Sequence, residues 1–185
     1  MKLYHGSNAI IEAPDLSMSR EDIDFGRGFY LSETEKTACK WACKKHNSIV
    51  NEYDFHPEGL NIKHFSLDKE WLDFVCANRN MEKIHGYDKY DVLVGPIADD
   101  KLYSTIEMYE DGFLSANQAI PIMDCMKYGN QIVLKTEKAL LQLDFVRSRK
   151  ISGKEKESLR ILVKEERHIA NQRTEEMLKE QRRRR

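Results

Sequence analysis

No apolar run in this chain approaches the ~20 residues that a membrane-spanning helix needs. No basic segment followed by an apolar stretch opens the chain, so no secretory leader is expected. Cysteine is scarce, with only Cys39, Cys43, Cys76 and Cys125. Cys39 and Cys43 face one side of an expected helix, a spacing that suits a metal, but no later Cys/His pair matches it. Reduced structural thiols in a cytoplasmic protein fit better, and no metal is expected. There is no internal repeat. Neither sign of charge dominates, with 30 Lys and Arg against 31 Asp and Glu.

What is present suits a single globular domain. The 185 residues are enough to bury a core, and 41% hydrophobic with 33% charged residues implies a highly charged surface. The near-zero net charge hides a division. Residues 1–151 carry 19 Lys and Arg against 24 Asp and Glu, a net −5. Residues 152–185 carry 11 against 7, a net +4. An acidic body repels phosphate and is a poor general binder of nucleic acid, whereas the basic tail can still make that contact.

Hydrophobic periodicity and turn residues divide the chain. Leu3–His5 reads as a first strand and Asn8–Asp22 as loop. Ser32-Glu33-Thr34-Glu35 is a capping-box pattern, opening a helix from Glu33 to about Lys45 with Ala38, Trp41, Ala42 and Lys45 on its inner face and Trp41 as its anchor. Strands are expected at 50–55 and 62–66. A helix follows from the Asp68 cap to about Asn80, with Trp71, Leu72 and Val75 as its apolar stripe. Asn78 and Arg79 extend that stripe. A buried Arg either meets a carboxylate or lines a polar cleft, and Asn78 beside it favours the cleft. Asp91–Ile97 reads as a strand, with Asp99 and Asp100 at its end facing a ligand or capping the next turn. Further helices are expected at 105–110, 115–127 and 136–141, and strands at 131–134 and 144–149. The last segment, 153–181, is a charged helix with few apolar residues. Leu159, Leu162 and Val163 should pack locally, and the part beyond Ile169 should project.

The stretch Asp24-Phe25-Gly26-Arg27-Gly28-Phe29-Tyr30-Leu31-Ser32 organises the chain. Glycine lets a ligand approach the main chain closely, and Phe29-Tyr30-Leu31 reads as a short buried strand. Loop, strand and helix start then bring an arginine, a tyrosine and a serine to one junction, suited to a phosphate-bearing, flat-ringed ligand. The same stretch also reads as a glycine turn feeding a core strand.

Tyr4-His5-Gly6-Ser7 followed by Gly28-Phe29-Tyr30-Leu31-Ser32 resembles the His-Tyr-Glu branch of ADP-ribosyltransferase folds. More closely, the chain resembles a bacterial family known as a domain of unknown function. Its members look like small transferase toxins, often encoded beside a short partner protein. Trp71–Val75 with Ala77-Asn78-Arg79, Val94–Asp100 and Asn130–Leu140 also fit that family, so the resemblance runs from Lys2 to about Leu143.

The resemblance implies an α+β fold of two small sheets around an NAD cleft, with helices packed outside. His5 would hydrogen-bond a ribose hydroxyl, Tyr30 would stack on the nicotinamide, and Ser7 with the Gly6 backbone would hold its amide. Arg27, Gly28, Asn78 and Arg79 join them as expected cofactor-binding residues. The third motif position, normally Glu, falls on Gln131, which can hydrogen-bond the ribose but carries no charge and cannot act as a base. Asp99 or Asp100 would supply a base if one is needed. Gly129, where arginine-modifying transferases tend to carry a second acid, argues against an arginine acceptor. Three functions follow: transfer of ADP-ribose from NAD to a macromolecule as a toxin-like effector controlled by a partner protein, NAD hydrolysis, or nucleotide or partner binding without turnover.

Overall fold

Seven strands form one mixed sheet in the computed structural model, which describes residues 1–98, 103–124 and 129–183. The strands are β1 (Lys2–Ser7), β2 (Phe29–Ser32), β3 (Ile49–Phe55), β4 (Ile62–His64), β5 (Val92–Pro96), β6 (Asn130–Leu134) and β7 (Leu143–Lys150). Their order is β4-β5-β6-β2-β1-β3-β7, with β4 and β5 parallel and every other pair antiparallel. Six helices complete the described residues: α1 (Glu35–Ala42), α2 (Lys69–Arg79), α3 (Tyr103–Glu110), α4 (Ala116–Asp124), α5 (Glu137–Leu140) and α6 (Gly153–Arg183). The α+β class holds. The two small sheets expected are instead one hydrogen-bonded sheet, whose halves meet at β1 and β2.

Strand alternation sends side chains to two faces. Phe29, Leu31, Ile132 and Leu134 join Leu3, Tyr53 and Phe55 in one core. Tyr30, Leu93 and Val133 face the other way, toward Phe25, Trp71 and Val75 beneath α2, α3 and α4. A third cluster packs α1 on β1 and β3 through Ala38, Cys39, Ala42 and Val50. Among the described residues no helix is long and apolar enough to cross a membrane.

Local caps follow the sequence in part. The Asp68 side chain accepts from Trp71 N–H and starts α2 as expected. At α4 the Gln118 side chain reaches back to Ser115, its Oε1 accepting from both the Ser115 N–H and the Ser115 hydroxyl, which is one half of a capping box. At α1 the cap is Thr34, whose hydroxyl accepts from Thr37 N–H, and not Ser32, which lies in β2. Trp41 is not the anchor of α1: it is 37% exposed, with Lys44 Nζ 4.3 Å from its ring centroid. The reason is Gly6. A Cβ there would stand 2.1 Å from the Ala38 carbonyl oxygen, so α1 rides directly on β1 and only its small residues fit inside.

The C-terminal helix also departs from expectation. Beyond Ile169 it does not simply project: Ala170 is buried, and Met177 and Leu178 pack against the core beneath α2 to α4. Leu159 packs nearer its start, on the α1 cluster. Ionic contacts hold that end too, with Lys40 to Glu166 at 2.6 Å and Arg149 to Glu155 at 2.8 Å.

Candidate functional site

β1 and β2 share one registered pair, Tyr4 with Ser32. Continuing that register would set His5 against Leu31, Gly6 against Tyr30 and Ser7 against Phe29. Those pairs do not form, and the strands part as a fork. Each prong is held by its outer neighbour, β1 by six pairs to β3 and β2 by four pairs to β6. A fork inside a sheet leaves backbone donors and acceptors that a ladder would otherwise use.

His5 occupies the fork. Its Nδ1 lies 2.6 Å from the Tyr30 carbonyl oxygen, and its ring stacks on Phe29 with centroids 4.5 Å apart. A carbonyl only accepts, so Nδ1 carries the proton and Nε2 of the neutral ring is an acceptor. Burial lowers the His5 pKa, opposed by the bond to Tyr30 and reinforced by the positive charge of Lys45. The imidazole is therefore neutral at pH 7.

Tyr30 lies on the opposite face of the sheet from His5. Its half-buried ring packs against the core beneath α2. Its hydroxyl donates to Gly26 O at 2.7 Å and accepts from Phe25 N–H at 3.0 Å. Burial raises the phenol pKa, so Tyr30 is no base near neutrality. The two bonds fix its ring and fasten the 24–26 loop.

That loop is the polar centre of the site. Asp24 Oδ1 accepts from Arg79 Nε at 2.9 Å and Nη2 at 2.5 Å, in a pair only 15% and 7% exposed. Asp24 Oδ2 accepts from Gln131 Nε2 at 3.4 Å, and the same nitrogen lies 3.3 Å from Pro96 O. With its amide nitrogen turned to two acceptors, Gln131 keeps Oε1 as its remaining acceptor. Lys135 donates to Phe25 O, and burial lowers its pKa to about 8. Gly26 has φ +66°, and a Cβ there would stand 2.6 Å from Asn78 Oδ1. Asn78 in turn donates to Phe74 O at 2.8 Å.

The structure brings His5, Tyr30, Gln131, Asn78 and Arg79 around the fork and the 24–26 loop. The open question over Arg79 resolves toward the carboxylate: it meets Asp24, contrary to the preference for a cleft. Arg27 turns to the surface and pairs with Glu21, both more than half exposed. The Gly28 backbone is clamped by Ser19 Oγ, which accepts from its N–H at 2.9 Å and donates to its carbonyl at 2.8 Å. Ser7 is buried and its Oγ accepts from Ala9 N–H at 3.2 Å. Gly6 answers to the packing of α1. Asp99 and Asp100 lie outside the described residues.

Sequence reasoning missed Asp24 and Lys135. Asp24 had a signal, since an Arg on the apolar stripe of α2 needs a carboxylate and Asp24 opens the glycine loop. Lys135 had none beyond its place at the end of a buried strand.

The molecule is thus an α+β protein whose polar groups gather where two sheet strands part. It belongs to the family described as "Protein of unknown function (DUF3990)", whose profile matches residues 1–145. No curated protein and no solved structure matches the chain.

Proposed function

We propose that the fork between β1 and β2 binds NAD and that the protein transfers ADP-ribose from it to a macromolecular acceptor. The observation that carries this reading is His5 in the fork, with Nδ1 committed to Tyr30 O at 2.6 Å and Nε2 left to accept from a ribose hydroxyl. The Tyr30 ring lies on the opposite face from His5, so the dinucleotide passes through the gap where β1 and β2 part to lay its nicotinamide against it. The Gln131 Oε1 faces the developing positive charge as the bond from ribose to nicotinamide breaks. Nicotinamide leaves with the bonding electrons, and the acceptor nucleophile bonds to the ribose carbon and gives up its proton. A control protein that binds and silences this cleft completes the picture of a toxin-like effector.

Gln131 also favours a second reading within the same site. Its amide brings only a partial negative charge to the ribose, so turnover is slow and water competes with the acceptor, giving NAD hydrolysis.

Three measurements test this. Calorimetry should detect NAD binding, weakened by about 1–2 kcal/mol in Tyr30→Ala. From pH 7 down to the ordinary histidine range binding should hold constant, and it should fall only below that range, where Nε2 gains a proton. Nicotinamide release with label from NAD appearing on a macromolecule means transfer, and release without label means hydrolysis. Absence of NAD binding refutes both.

A further inference from the structure

The acceptor nucleophile that bonds to the ribose carbon must lose a proton, and the side chains already placed at the site do not take it. Gln131 is an amide and no base. Tyr30 stays protonated, because burial raises its phenol pKa. His5 lies on the other face of the sheet, with Nε2 given to a ribose hydroxyl. The Asp24 carboxylate is held by Arg79 and Gln131.

Lys135 stands among these groups. Its N–H donates to Asp91 O at 2.8 Å, which carries the β5–β6 ladder one residue past Leu134. Strand alternation therefore gives it the face of Gln131 and Val133, and Val133 is the partner of Tyr30. All three polar side chains end on the 24–26 loop. Gln131 reaches the Asp24 carboxylate, Lys135 donates to Phe25 O, and the Tyr30 hydroxyl bonds Phe25 N–H and Gly26 O. The lysine stem lies against Gly28, where a Cβ would stand 3.3 Å from Cδ. Among the described residues the amine bonds only Phe25 O, and no carboxylate forms an ion pair with it.

On the NAD reading of the fork, which this assignment needs, we infer that Lys135, as its free amine, is the base that takes the proton of the acceptor nucleophile. A free amine keeps an N–H for Phe25 O and turns its lone pair to the acceptor. The acceptor oxygen or nitrogen bonds to the ribose carbon, the bond to nicotinamide breaks with its electrons going to the ring nitrogen, and the proton moves to Nζ. The ammonium then returns that proton to solvent.

Burial makes the free amine available. It brings the Lys135 pKa down from 10.5 to about 8. At pH 7 the neutral fraction rises from about one in 3,000 to about one in ten, within the range in which lysine works as a base. The charges around it leave that shift in place. Asp88 opposes it from a distance. Arg27 is paired with Glu21, and the Asp91 carboxylate is turned to Asn61, Thr136 and Lys138.

Two measurements test the assignment. Trace acetylation of the full chain with acetic anhydride across pH, read by peptide mass spectrometry, should show the Lys135 amine titrating near 8 and the exposed lysines near the ordinary value. Label transfer from NAD, or nicotinamide release where water is the acceptor, should rise about tenfold per pH unit below that value and level above it. Lys135→Arg keeps a cation for Phe25 O but cannot give up its proton. It should cut the rate at least about 100-fold and abolish the levelling near pH 8, with thermal melts confirming that it folds. A Lys135 amine that titrates in the ordinary lysine range overturns the assignment whether or not NAD is present. A wild-type rate flat with pH, or a wild-type rate in Lys135→Arg, overturns it and leaves the NAD reading standing. Absence of NAD binding to the wild-type chain overturns both.

Discussion

Replacing Gly6 by Ala should destabilise the protein through a single backbone contact. Gly6 is absent from the positive-φ glycines, so an alanine suits its dihedral angles and only space is at issue. The new Cβ would lie 2.1 Å from the Ala38 carbonyl oxygen and 2.9 Å from Ala42 N, where real Cβ atoms stay beyond 3.0 Å. Both obstacles are main-chain atoms of α1, which have no rotamer to escape into, so the helix must retreat by at least the 0.9 Å between 2.1 and 3.0 Å. Overpacking of this kind costs about 2–3 kcal/mol. The smaller entropy of an unfolded alanine returns about 0.4–1 kcal/mol. The net loss is about 1–2.6 kcal/mol, which for a chain of this size lowers the melting midpoint by about 2–10 °C. Urea denaturation with an unchanged m-value would show that the change is one of stability. A midpoint unmoved within about 1 °C would mean that α1 does not rest on β1 at this point, and Gly6 would return as a residue kept for ligand approach.

Three further outcomes follow. Asp24→Asn takes from Arg79 a carboxylate partner in a pair that is almost fully buried, so denaturation should show a loss of about 3 kcal/mol. Gln131→Glu sets a second carboxylate about 3.4 Å from Asp24 Oδ2, and like charges that close raise one pKa of the pair. Any gain in nicotinamide release should therefore appear as pH rises through that elevated value and vanish below it, and a gain that is flat with pH would show that the new carboxylate ionises freely, away from Asp24. Truncation after Ala170 removes Met177 and Leu178 from the core beneath α2 to α4. Two half-buried apolar side chains are worth about 1–2 kcal/mol together, so the midpoint should fall by several degrees, and no change would return the distal helix to solvent.

The sequence alone determined the local elements. Periodicity and caps located the strands and helices, because those signals are carried by neighbouring residues: Asp68 caps the helix that it precedes in sequence, and Ser115 meets Gln118 three residues on. His5, Tyr30 and Gln131 stood out only through a resemblance to known motifs, and for Arg79 the sequence left open a carboxylate partner or a polar cleft. What it could not supply is anything set by groups distant along the chain. Asp24 and Arg79 are 55 residues apart, and Gln131 reaches Asp24 across 107. Trp41 read as an anchor because an apolar stripe shows which face of a helix is inward but not how near the next layer lies. That distance is fixed by the missing side chain of Gly6. The fork depends on tertiary pairing in the same way. Nothing in Tyr4–Ser7 or Phe29–Ser32 limits them to one registered pair, since which edges meet is decided by β3 and β6 pulling the two strands to opposite sides. The distal half of α6 looked too poor in apolar residues to join a core. Only the folded chain shows that Ala170, Met177 and Leu178 fall along the edge of the helix that meets its neighbours.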